Sequence, residues 1–129
     1  AHCGVATRLV GVVSAHATAY LDSWRAGHVV QSPASTALAD GMACRVPDAE
    51  ALSIVQREAE EVIAVTDDEV AHAMRALYTD THNLAEGAGA AALAGAWQLR
   101  ERWKGKSVGI TVSGGNVDAP VFAKVLQGA

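Results

Sequence analysis

Ser113-Gly114-Gly115-Asn116 is the stretch of this sequence best suited to hold a small molecule. It follows a short apolar run, residues 107–112 (SVGITV), and precedes an apolar-faced stretch that opens at Pro120. Ligands of open α/β sheets bind beyond the carboxyl ends of strands, so a turn leaving such a strand stands where a site belongs. Its two glycines let the backbone approach a ligand, and the helix N-terminus after it favours anionic or electron-rich groups. A serine hydroxyl there can donate to an aromatic ring nitrogen. The same residues also fit a plain tight turn, with Asn116 or Asp118 capping the next helix.

Glu86-Gly87-Ala88-Gly89 is the second candidate. The helix macrodipole favours a carboxylate at a helix start, which by itself accounts for Glu86, and a binding role needs a partner across from it. The five histidines (His2, His16, His28, His72, His82) show no metal spacing and no Ser-His-Asp order. They read as surface or loop residues, with His82-Asn83 the pair near enough to Glu86 to line a site. Trp24, Trp97 and Trp103 read as packing residues. Arg100-Glu101-Arg102 with Lys104 and Lys106 reads as a solvated helix end whose positive charge offsets the dipole.

Positioning these residues falls to alternating strands and helices. Residues 9–13 (LVGVV) predict a strand buried on both faces, and Ser14 is placed to cap the helix after it. Ala17, Tyr20, Leu21 and Trp24 fall at helical spacing, ended by Gly27. Residues 29–41 are irregular. Pro47-Asp48 starts a second helix with Leu52, Val55 and Ala59 on one face, and residues 61–65 (EVIAV) predict a second strand. Thr66-Asp67-Asp68-Glu69 fits a capping box, leading a helix striped by Val70, Met74, Leu77 and Tyr78. From Glu86 to about Trp103 the pattern is helical but rich in Ala and Gly, so neighbouring backbones must approach closely. Gly105 breaks it. Residues 107–112 predict a third strand, residues 113–118 a turn, and residues 120–127 a last helix with Val121, Phe122, Val125 and Leu126 inward. The fold class is α/β, a mostly parallel sheet flanked by helices.

Composition narrows the function classes. The 129 residues are 50% hydrophobic and 19% charged, with a net charge of −4, which is globular and carries no basic footprint for nucleic acid or a membrane surface. The longest small and apolar run, residues 87–97, is too short to span a bilayer, and a cytoplasmic location is expected. Cys3 and Cys44 stand in no metal or redox spacing and read as reduced thiols. Ala1-His2-Cys3-Gly4 reads like the tail of a helix cut mid-course. Three strands make a thin sheet with exposed edges, so residues 1–129 are expected to be a single partial domain.

Taken together these segments resemble one family. Residues 113–118 (SGGNVD) after SVGITV resemble the C-terminal cofactor signature of fold-type II pyridoxal-phosphate enzymes of the threonine/serine dehydratase (ammonia-lyase) family. Residues 86–91 (EGAGAA), Ala39-Asp40-Gly41 and residues 61–69 (EVIAVTDDE) are similar to further segments of that family, in the same order. The usual Thr before the Ala-Asp-Gly segment is matched by Ala37, with Thr36 displaced by one.

The resemblance implies pyridoxal 5'-phosphate as cofactor. Ser113 would donate to its pyridine nitrogen, Glu86 would lie near its ring, and Gly41 and Gly114 would offer backbone close to it. With Asn116 these make up the cofactor-binding set. The family's Schiff-base lysine and Gly-rich phosphate loop have no match here, Lys104, Lys106 and Lys124 being misplaced for the role. The chain thus corresponds to the C-terminal half of the large, cofactor-binding domain and carries no catalytic lysine. The expected reaction of the full-length parent is dehydration and deamination of L-threonine or L-serine to a 2-oxo acid and ammonia, in a homo-oligomer. The alternatives are 3-hydroxyaspartate dehydratase or serine racemase on the same scaffold, or a non-catalytic folded subdomain. Racemase-like members place acidic metal ligands after the first strand; Val13 and Ala19 correspond here and cannot ligate, so no metal is expected.

Overall fold

A computed structural model describes residues 6–128. Cys3 and the expected helix tail at its start lie outside these residues, and Cys44 is a half-buried free thiol. Strands β1 (Leu9–Ser14) and β2 (Ala59–Val65) pair in parallel, with Val10 opposite Glu61 and Ser14 opposite Val65. The crossover between them carries α1 (Ala19–Ala26), a single 3-10 turn at Asp40–Met42 and α2 (Ala49–Glu58). Helices α3 (Asp67–Thr81), α4 (Gly87–Gln98) and α5 (Ala119–Gln127) complete the order. No helix among the described residues is long and apolar enough to cross a membrane.

Local chemistry accounts for most boundaries. Asp48 caps α2, its carboxylate accepting from the Ala51 N–H at 2.9 Å. The capping box forms as expected: the Glu69 N–H donates to Thr66 Oγ1 at 3.3 Å, and the Thr66 N–H donates to Glu69 Oε2 at 2.7 Å. Burial opposes the charge on Glu69, but hydrogen bonds from the Thr66 backbone, Gln98 and the Thr66 hydroxyl outweigh it and hold the carboxyl below its ordinary value. At the other end of α3, His82 takes a left-handed conformation (φ 57°).

The core lies between α3 and α4, where Val65, Val70, Met74 and Leu77 meet Ala90, Ala91 and Ala94. Met74, Val65 and Val70 are fully buried, each contributing on the order of 1.5–3 kcal/mol. The expected close approach of α4 is met at three places. A Cβ on Gly95 would sit 2.7 Å from Val12 Cγ2, so α4 settles directly on the sheet. One on Gly87 would sit 2.1 Å from the Leu38 carbonyl oxygen, and one on Gly89 would sit 2.4 Å from that of Gly114.

Several sequence expectations are corrected. Residues 107–112 form no ladder, and Val108, Ile110 and Val112 are 48%, 39% and 43% exposed. A strand exists only by pairing its backbone with a neighbour. Between this segment and β1 runs a groove of about 640 Å³, lined by Leu9, Val10, Val12, Gly95 and residues 107–111, and none of the described residues bridges it. Ser14 does not cap α1: it ends β1, fully buried, and its Oγ accepts from the His16 N–H at 3.1 Å. α1 starts later, at Ala19, so Ala17 lies outside it and bridges to Ala34. Ala59 belongs to β2 rather than α2, and α4 ends at Gln98, with turns after it. α5 buries only Phe122 and Val125, leaving Val121 and Leu126 exposed. Packed chiefly on α3, it needs only the stripe that one neighbour covers, with Phe122 edge-on to Tyr78 at 5.2 Å and the Val125 carbonyl accepting from Arg75 at 3.0 Å.

Candidate functional site

The turn 113–116, the start of α4 and the 3-10 turn converge. Glu86 sits at the position before α4, yet its side chain makes no bond to its own helix. Its N–H donates to the Gly114 carbonyl at 3.0 Å, and its Oε2 accepts from the Asn116 N–H at 3.1 Å. A Cβ on Gly114 would lie 2.4 Å from Glu86 Oε1, so any larger residue there has to displace the carboxylate. Gly41 joins from the other side: a Cβ on it would meet the Ala88 Cβ at 3.0 Å and Glu86 Oε1 at 4.0 Å.

Four of the five residues singled out from sequence, Gly41, Glu86, Gly114 and Asn116, are thus in one cluster. Ser113 adjoins it in the chain, exposed, with a hydroxyl that has no protein partner among the described residues. Asn116 does not cap α5, because the residue flanking that helix is Asp118. Asp118 precedes α5 without a side-chain cap bond. His82 and Asn83 are taken up in finishing α3, where the Asn83 side chain donates to the Thr81 carbonyl at 3.0 Å. Two residues that sequence reasoning left out of the set also shape the turn. A Cβ on Gly115 would fall 2.7 Å from the Leu84 carbonyl oxygen, and Gly89 lies beneath Gly114. The alternation Gly87-Ala88-Gly89 was the available signal, since small residues two apart mark close backbone approach.

The arrangement suits the nitrogen edge of an aromatic ring. The Ser113 hydroxyl is neutral and has no protein partner among the described residues, and the Glu86 carboxylate is already engaged with the Asn116 backbone N–H. Lys104, Lys106 and Lys124 are exposed in the turns after α4 and on α5. Among the described residues no group of His, Cys, Asp or Glu is arranged to hold a metal ion.

Comparison with known proteins shows the family and the fold. The sequence profile of the family described as pyridoxal-phosphate dependent enzyme matches residues 2–114. An L-threonine ammonia-lyase of Geobacter sulfurreducens is 36% identical, aligned over 93% of this chain and 30% of its own length. One from Thermotoga maritima is 30% identical over the same shares, 93% and 30%. The chain therefore spans about a third of the length of these relatives. Among solved structures, the processed form of threonine deaminase isoform 2 from Solanum lycopersicum superposes with a TM-score of 0.87 at 28% identity, covering 99% of this chain and 38% of that one. Maize serine racemase gives 0.83 at 25% identity, covering 98% and 40%.

Proposed function

The chain belongs to the pyridoxal-phosphate dependent enzyme family, and on that premise we propose that it is the C-terminal half of the cofactor-binding domain of a threonine or serine ammonia-lyase. The observation that carries this reading is the turn at 113–116, seated on Glu86 with the Ser113 hydroxyl exposed and unpartnered beside it. The threonine ammonia-lyases similar over most of the chain support the substrate class. The groove between β1 and residues 107–111 supports the partial-domain reading, because its walls offer unpaired backbone to further chain.

When bound, pyridoxal phosphate supplies an electron sink conjugated to the amino acid's α-carbon. Ser113 would hold the ring nitrogen by donating a hydrogen bond from its hydroxyl. A neutral donor would not keep that nitrogen protonated, which would suit loss of a β-hydroxyl over prolonged storage of charge. The Gly41 and Gly114 backbones would lie close to the ring, and Glu86 would hold the turn through the Asn116 N–H. The covalent anchor and phosphate cradle fall to the rest of the enzyme.

Serine racemase is the second reading, favoured by the likeness to the maize enzyme. Against it, Val13 and Ala19 occupy the positions where the family resemblance puts acidic metal ligands. A product assay on the full-length enzyme decides. Release of a 2-oxo acid and ammonia from L-threonine or L-serine supports the lyase, and D-serine as the main product overturns it.

A further inference from the structure

We infer that Glu86 is a positioning residue: it sets the Ser113 hydroxyl by fastening the turn 113–116 to the start of α4, through its acceptor oxygens and not through its charge. The functional half of this inference rests on the reading of Ser113 given above.

Among the described residues, 107–112 form no ladder. The fastenings run to residues 84–89. The Glu86 N–H donates to the Gly114 carbonyl, and the Glu86 carboxylate accepts the Asn116 N–H. These bonds hold the turn on both sides of Gly115, itself pressed against the Leu84 carbonyl. A Cβ on Gly114 would meet Glu86 Oε1 at 2.4 Å, and one on Gly89 would meet the Gly114 carbonyl oxygen at 2.4 Å. Ser113 is the next residue along, and its own side chain has no tether among the described residues.

The position of Glu86 reinforces the point. A polar side chain just before a helix ordinarily accepts from that helix's free first-turn N–H groups. Glu86 leaves those unserved and reaches instead to a backbone amide 30 residues away. Asn116 N–H needs an acceptor at that reach, and no charge is required. Glutamine supplies the acceptor at the same length. Aspartate falls one methylene short, and alanine supplies none.

The test uses the full-length enzyme with Glu86→Gln, Glu86→Asp, Glu86→Ala and Ser113→Ala. Amide hydrogen exchange is measured on the cofactor-free protein, and pyridoxal-phosphate affinity by fluorescence titration. Asn116 should exchange about tenfold faster in the alanine and aspartate variants and at the parental rate in the glutamine variant, as loss of one hydrogen bond implies. Exchange in α3 should stay unchanged in all of them, which separates a loosened turn from a loosened fold. Cofactor affinity should fall in the same order, with glutamine within about twofold of the parent and its pH profile of turnover unshifted. Parental exchange at Asn116 in Glu86→Ala overturns the inference. So does a glutamine variant that keeps parental exchange yet binds cofactor as poorly as alanine, since the charge would then act directly. Faster exchange in Glu86→Ala with cofactor affinity unchanged in both it and Ser113→Ala sinks the reading of Ser113, and with it the functional half.

Discussion

At the residue scale, the exposed Ser113 contributes little to packing, so its substitution isolates chemistry from folding. Ser113→Ala in the full-length enzyme is expected to leave thermal unfolding unchanged. Loss of the donor to a buried ring nitrogen should cost about 1–3 kcal/mol in cofactor binding, and turnover should drop by roughly one to two powers of ten. Unchanged affinity and turnover would leave the plain-turn reading of residues 113–116. The glycines invite a sharper contrast. A Cβ on Gly87 would meet the Leu38 carbonyl at 2.1 Å, whereas one on Gly109 would meet nothing within 4 Å. Gly87→Ala must move backbone against backbone and should destabilise by about 1–3 kcal/mol or more. Gly109→Ala should stay within about 0.5 kcal/mol. Denaturant midpoints at equal slope measure both.

At the element scale, α3 carries the core and its N-terminus is the best-made cap in the chain. Thr66→Ala removes the acceptor for the Glu69 N–H and is expected to cost about 1 kcal/mol. The partner carboxylate gives this end a pH dependence. Because Glu69 is held below its ordinary value in the folded protein, its contribution is full above about pH 4.3, its unfolded value, and fades as pH falls through the lower folded one. The stability difference between the parent and Glu69→Gln should therefore be flat at neutral pH and shrink below about pH 4. A difference that grew on acidification would contradict the hydrogen-bond assignment. α4 is built the opposite way. It has no side-chain cap and few large residues, and its stability comes from contact with both strands, α3 and the turn at Gly114.

For the whole molecule, the two-stranded sheet and the groove beside β1 leave apolar surface uncovered, with Leu9, Val108, Ile110 and Val112 all exposed. Contiguous exposed apolar surface drives association, so the 129-residue chain by itself is expected to self-associate. Sedimentation across the micromolar range checks this, and a clean monomer throughout would count against it. The same chain should show no ammonia-lyase activity and hold no cofactor covalently, because covalent attachment needs a positioned amine of lowered pKa, and its lysines stand exposed away from the cluster. A cofactor absorbance that survives dialysis and disappears on borohydride treatment would refute it.

The amino-acid sequence by itself determined whatever depends on neighbours in the chain or on residue type. The capping box at Thr66, the cap at Asp48, the apolar stripe of α3 and the small-residue character of α4 are all local, and the two strands that pair were visible as apolar runs. The candidate set came from the family resemblance of residues 39–41, 86–91 and 113–118, since each segment by itself also fits a plain turn or a helix start. Tertiary structure decided the rest. Residues 107–112 have a strand's composition, but pairing is a property of two segments, and none of the described residues supplies the second. Ser14 has a cap's composition, but it was claimed by the end of β1. Glu86 looked like a helix-start carboxylate, and only the fold brought the Asn116 amide, 30 residues on, within 3.1 Å of it. A periodic pattern tells which face is buried; which backbone group a side chain then finds depends on where distant segments are packed.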